Sequence, residues 1–264
     1  MSENTLFKRH CVSFFVLALV IQLTSAKTAI AETYGDALLA YNAGDYAAAF
    51  RIFHTLAERG HIRAQEELGR MYAKGEGVER DTSEASKWFR SANEQIKALK
   101  AYNTGDFETA MRMFRPLADQ GQILAEYIVG LMYANAQGVT ENYPEALKWL
   151  QKAAEQGESK AQFSVGLIYF KGLGMPKDYA EAAKWYQRAA NQNNATAQFN
   201  LGMMYSRGQG VPQNYVTAYM LLDLASAKIK AAADAKSNIS KSMESSQIAE
   251  AEKLAKDWKP KYEM

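Results

Sequence analysis

Cysteine is almost missing from this chain: one occurs, Cys11, so no disulfide framework and no cysteine metal set can be built from it. Histidine is nearly as scarce. The three are His10, His54 and His61, and Gly60 ends the helix expected between the last two, with no carboxylate cluster to complete a metal site. No metal and no cofactor is expected. Charge of one sign is lacking too: the net charge is +2, which leaves no overall electrostatic footprint for nucleic acid. The chain also lacks a long apolar run. Its best, from Cys11 to Leu23, falls well short of the roughly 20 residues that span a bilayer.

That short run has the context of an export signal. Lys8 and Arg9 precede it, and a polar stretch ending in Ala29-Ile30-Ala31 follows, a small-x-small cleavage site. Residues 1–31 are therefore expected to be a cleaved signal peptide, the alternative being an uncleaved anchor. Cys11 begins the apolar run instead of following it, so there is no lipoprotein cleavage box. Cleavage after Ala31 would remove the only cysteine and, with Lys8, Arg9 and Lys27 against Glu3, the whole net charge of +2, leaving a chain close to neutral. No integral membrane segment would remain, and the expected location is the periplasm of a Gram-negative bacterium or its exterior.

What the chain does have is a sentence repeated at a spacing of 36 residues. Ala125, Gly130, Tyr133, Gly138, Ala146 and Trp149 recur as Ala161, Gly166, Tyr169, Gly174, Ala182 and Trp185. They recur again as Ala197, Gly202, Tyr205, Gly210 and Ala218, with Leu221 in place of the tryptophan. Fixed-period self-similarity of this length marks a stacked repeat array. Within a unit, Ala161, Val165 and Tyr169 share one helical face, and Ala182, Trp185 and Ala189 share another. Gly166 inside the first helix costs about 1 kcal/mol relative to alanine, which implies close approach by a neighbouring helix. Asp178 to Glu181, Asn142 to Glu145 and Asp81 to Glu84 read as start signals for second helices, the first residue capping and the glutamate reaching back.

A second relation, at 61 residues, pairs Tyr41, Gly44, Asp45, Ala49, Phe53, Gly60 and Ala64 with Tyr102, Gly105, Asp106, Ala110, Phe114, Gly121 and Ala125. Two kinds of unit therefore alternate upstream, one with a long Gly-x-Gly loop and one with a tight Tyr-Asn-x-Gly-Asp turn. No glycine or proline lies between Thr82 and Thr104, so the spacing favours one helix of about 22 residues there, although a tight turn near Asn93 is the alternative. Pro116 should kink its helix or shift its hydrogen bonds. Near the C-terminus, Lys228 to Lys236 reads as helix, Ser237 to Ser246 as a polar break and Gln247 to Trp258 as a last helix stopped near Pro260. The expected divisions are 1–31 signal peptide, 32–121 tetratricopeptide-like and repeat units, 122–229 three repeat units, and 230–264 C-terminal capping helices.

The pattern A-x-x-x-x-G-x-x-Y-x-x-x-x-G-V, followed by D/N-Y-x-x-A-x-x-W and paired alanines, resembles the Sel-one-like repeat (SLR). Arg63 to Asn93 and Gln122 to Lys228 carry it. The tight-turn units at Gly44-Asp45-Tyr46 and Gly105-Asp106-Phe107 resemble tetratricopeptide repeats. The resemblance implies an all-α, right-handed superhelical solenoid of helix-turn-helix repeats that scaffolds or binds a partner. Three features depart from the family pattern: Leu221 replaces a tryptophan, Asn135-Ala136-Gln137 lacks the first loop glycine, and the processed chain has no cysteine for the disulfide-stapled branch of the family.

In arrays of this kind the first helix of each unit lines the concave face. Aligning the units on Gly130, Gly166 and Gly202 nominates Tyr127, Leu131, Phe163, Leu167, Phe170, Lys171, Phe199, Met203 and Arg207 as partner-binding residues, in a wider set that includes Arg63, Glu66, Arg70, Lys74 and Leu124. They would give apolar anchors with a basic margin, suited to an extended or helical segment of a protein or peptide. Tyr127, Phe163 and Phe199 occupy equivalent positions, so they also fit a core role between units. Some relatives of this class have been described as β-lactamases. That chemistry needs Ser-x-x-Lys, Ser-Asp-Asn and Lys-Thr-Gly, and none occurs. A catalytic role is therefore not expected; the alternatives to a scaffold are a hydrolase or binder acting on cell-wall material and a secreted factor that binds a host protein.

Overall fold

The structure, a computed structural model, describes residues 33–261. The expected signal peptide and Cys11 lie outside the described residues. Thirteen α-helices and no strand are found among the described residues: α1 Tyr34–Asn42, α2 Tyr46–Glu58, α3 Ile62–Lys74, α4 Thr82–Asn103, α5 Phe107–Asp119, α6 Ile123–Ala134, α7 Tyr143–Glu155, α8 Ser159–Lys171, α9 Tyr179–Asn191, α10 Ala195–Arg207, α11 Tyr215–Ser226, α12 Lys230–Ser240 and α13 Ser245–Lys256. Each of α1 to α11 packs on the next in sequence, as expected of an all-α solenoid of helical hairpins. The stretch free of breakers is one helix, α4, of 22 residues. Its first half closes the α3 hairpin, and its last turns, by the 61-residue relation, take the place that α1 holds in the first unit.

The helix starts follow the sequence with one correction. Asp81, Asn142 and Asp178 do cap, accepting the N–H groups of Glu84, Glu145 and Glu181 at 3.0, 3.0 and 2.9 Å. The glutamates, however, pair with Lys87, Lys148 and Lys184, one turn on, where an i,i+3 cation is better placed than the cap's own backbone. Pro116 does not end α5, which runs on to Asp119. Pro116 and Arg112, whose carbonyl loses its partner, both lie on the exposed side, so water can replace the missing bond. The polar break after Lys236 is also shorter than expected. Helix α12 continues to Ser240 because Ile229, Ala232, Ala235 and Ile239 form an apolar stripe against Leu222 and Ala225 of α11.

The repeated glycine of each first helix makes room for the residue that follows the repeat tryptophan. A Cβ on Gly69, Gly130, Gly166 or Gly202 would stand 2.7 to 3.0 Å from Phe89, Leu150, Tyr186 or Leu222 respectively. The core is thus a ribbon of apolar clusters, one per junction, with Trp149, Trp185 and Leu221 buried in successive clusters. Helices α12 and α13 cover α11, the last face of the stack. Tyr219 donates its hydroxyl to Glu252 at 3.2 Å and Lys236 pairs with Asp223 at 2.7 Å.

Where the first loop glycine is absent, Ala136 takes its place with φ +53°. Gly75, Gly172 and Gly208 hold the corresponding left-handed position after α3, α8 and α10. A left-handed alanine costs about 1–2 kcal/mol, part of which glycine's greater freedom in the unfolded chain offsets. Ala136→Gly should therefore stabilise by about 1 kcal/mol and raise the thermal midpoint by about 3 °C, as followed by circular dichroism.

Candidate functional site

Six of the residues nominated from the repeat register meet the seams between units. Phe163 stacks on the Tyr186 ring (centroids 5.6 Å apart, 26° between planes), and Phe170 meets Tyr179 edge-on at 5.2 Å. Tyr127 and Leu131 pack against the cluster between α7 and α9. Phe199 and Met203 pack against α11 and α12. All six are half-buried, and their apolar area is spent on the junctions between units. Leu167 is half-buried, while Lys171 and Arg207 are exposed at the ends of α8 and α10.

A formed cleft lies further upstream, with a volume of about 470 Å³, within the ordinary range of ligand and side-chain pockets. Ile62 and Arg63, at the start of α3, and Ile123 and Leu124, at the start of α6, line it together with Tyr34 and Arg59. The 61-residue relation makes Ile62 equivalent to Ile123 and Arg63 equivalent to Leu124. The cleft is therefore the gap between the same turn of two successive units. Arg63 and Leu124 belong to the wider set read from the sequence. The others escape a search of helix faces because they sit in turns and first turns, and the signal that finds them is the pairing at 61 residues.

Three interactions hold this turn edge together. The Ile123 N–H donates to the Arg59 carbonyl at 3.2 Å, tying one unit's turn to the next. The Arg59 guanidinium donates to the carbonyl of Gln156, in the following turn. His61 caps α3, its Nδ1 accepting the Ala64 N–H at 3.2 Å, and its ring stacks on Tyr34 at 5.1 Å. Desolvation, with Arg63 adding to it, holds the His61 pKa below the ordinary imidazole value. The ring is thus neutral at pH 7, as a capping Nδ1 requires. The positive charge of the cleft comes from Arg59 and Arg63, with Glu158 the single acidic residue of its lining.

Among the described residues, no group of three or more histidine, cysteine, aspartate or glutamate side chains could hold a metal ion. Nor is any described helix long and apolar enough to cross a membrane.

Stacked helical hairpins with an apolar seam define a repeat solenoid. The family model described as the Sel1 repeat matches residues 62–95, 123–158, 159–194 and 195–228, more than half of the chain. The chain belongs to the Sel1 repeat family. Sel1 repeat proteins generally act as protein-interaction scaffolds. No curated protein matches the chain. Among solved structures, a Sel1 repeat protein from Oxalobacter formigenes is 27% identical, with a TM-score of 0.53, over 86% of this chain and all of that one. A protective antigen of uropathogenic Escherichia coli strains that displays an SLR fold is 26% identical, with a TM-score of 0.43. That match spans 81% of this chain but only 56% of the antigen. The cysteine-rich protein B of Helicobacter pylori is 21% identical over 49% of this chain and 93% of that one, with a TM-score of 0.40.

Proposed function

We propose that this chain is an exported scaffold, periplasmic or released, that holds a segment of a partner protein and catalyses nothing itself. The observation that carries the reading is the cleft between α3 and α6. It has an apolar floor from Ile62, Ile123 and Leu124 and two arginines at its margin. Such a site seats an apolar side chain whose neighbours in the partner sequence are acidic, and Arg63 supplies paired donors for a carboxylate. The exposed Lys171 and Arg207, with Leu167 between their helices' junctions, would continue the contact along the stack. Export rests on the leader-like residues 1–31.

The test is crosslinking in living cells from a photoreactive residue at position 62, with the product identified by mass spectrometry. Arg63→Glu combined with Leu124→Asp should lower the yield of the crosslinked partner at least about tenfold while helicity is unchanged. Should that yield persist, the cleft is not the seat. Should only Leu167→Asp with Lys171→Glu and Arg207→Glu abolish it, the face of α8 and α10 is the seat instead. Steady hydrolysis of a β-lactam or a muropeptide by the purified protein would overturn the scaffold reading altogether.

A further inference from the structure

A ladder of buried glutamines runs through the turns of the stack. Gln65, Gln162 and Gln198 each follow the first-helix alanine of their repeat, and all three are buried. Each donates its side-chain N–H to the carbonyl of the residue eight places earlier: Ala57 at 3.0 Å, Ala154 at 3.1 Å and Ala190 at 3.3 Å. In the first two, the side-chain oxygen accepts from a glutamine further along the stack, Gln95 within α4 or Gln192 just after α9, each at 2.9 Å. The amide therefore serves both sides at once, as a donor backwards and an acceptor forwards.

In the repeat that starts with α6 the same position is Glu126. It is 3% exposed, and its Oε2 accepts from Gln156 Nε2 at 2.7 Å, so the forward rung is kept. The backward rung changes. The equivalent carbonyl is that of Ala118, which accepts the Gly121 N–H at 2.9 Å just as Ala57 and Ala154 accept Gly60 and Gly157. A carboxylate has no hydrogen to offer it, so an ionised Glu126 cannot make the backward rung that glutamine makes in the other repeats. A neutral carboxylic acid has one O–H, which can do what the glutamine N–H does in the other repeats.

We infer that Glu126 is a proton-held joint: its neutral acid bridges Ala118 and Gln156, and loss of that proton loosens the stack between α5 and α7. From α7, Lys152 favours ionisation and Glu155 opposes it, while Arg59, just after α2, donates to the Gln156 carbonyl. Burial outweighs the Gln156 hydrogen bond and Lys152, and it holds the carboxyl above the ordinary glutamate value. The folded chain keeps a proton that the unfolded chain gives up, so the joint's contribution is complete below the ordinary glutamate range. It is lost as pH rises through the raised value.

Glu126→Gln installs the residue that the other repeats carry, so it should fold. Thermal midpoints of the full chain and this variant should agree at about pH 4 and separate as pH rises, the variant becoming the more stable by about 3 °C at about pH 8. Infrared difference spectra between the two proteins, followed upward from about pH 4, should show the carbonyl band of a protonated carboxyl group in the unsubstituted chain only, persisting above the ordinary glutamate range. A gap that does not change with pH would overturn the inference, as would a missing carboxyl band. An unsubstituted chain that gains on the variant with rising pH would also overturn it, because Glu126 would then be ionised and paired with Lys152.

Discussion

Gly138→Ala should lower the thermal midpoint by about 10 °C, although it adds a single methyl group. Two independent costs meet at this position. Its φ is +68°, a left-handed backbone that costs alanine about 1–2 kcal/mol. In addition, the new Cβ would lie 2.5 Å from the Phe107 carbonyl oxygen and 2.9 Å from the Glu108 nitrogen. Those are backbone atoms in the first turn of α5 and cannot swing aside, so relief requires the two units to part, at about 1–3 kcal/mol more. The sum is about 2–5 kcal/mol, and at about 2–4 °C per kcal/mol for a chain of this size the stated shift lies at its middle. Gly121→Ala separates the two terms. Gly121 has φ +81° but nothing within 4 Å of a Cβ, so it should show the backbone cost alone, about 1–2 kcal/mol. Equal losses for the two variants would mean that the loop is not pressed against the preceding unit. Because a solenoid is coupled only to its neighbours, Gly138→Ala should also broaden or split the transition, as the halves on either side begin to melt separately.

The same loops show how far the sequence could be read. The period, the paired helices and the packing role of the repeat glycines follow from residue spacing, because stacked units must place like residues at like junctions. The 22-residue α4 was legible from the absence of any breaker. The errors came where a local signal had a competitor. Glu84, Glu145 and Glu181 match the capping-box pattern, but each has a lysine one turn on that takes the carboxylate. Ala136 was visible as a missing glycine, yet its left-handed φ shows that the loop shape is imposed by the units on either side and not by the residue in it. The aromatics Phe163, Phe170 and Phe199 fit both a groove and a seam, since one helical face serves both until its neighbour's position is known. The cleft was hidden for a related reason: it belongs to turns brought together by stacking, and helical periodicity carries no information about turns.

Trp149→Ala should cost about 3–5 kcal/mol, in the upper range for a buried aromatic, and Trp149→Phe much less. Trp149 is 2% exposed, set among Ala98, Ala110, Phe114 and Val129, where alanine would leave a cavity that rigid helices cannot collapse into. Its ring also faces cations, with Lys152 4.2 Å and Arg115 5.0 Å from the centroid, and alanine would forfeit these contacts as well. Its Nε1, however, has no hydrogen-bond acceptor, and neither does that of Trp88 or Trp185. A buried N–H without a partner is worth about 1–3 kcal/mol against the fold, and phenylalanine removes it while keeping a ring at the junction and under the cations. The smaller ring gives back some packing, so the net change for Trp149→Phe should lie within about 1.5 kcal/mol. Chemical denaturation of the three proteins measures both differences. A phenylalanine variant as unstable as the alanine variant would show that the indole N–H is satisfied and that the repeat needs tryptophan itself. The last repeat supports the volume argument, because Leu221 fills the same position, fully buried and with no polar atom to satisfy.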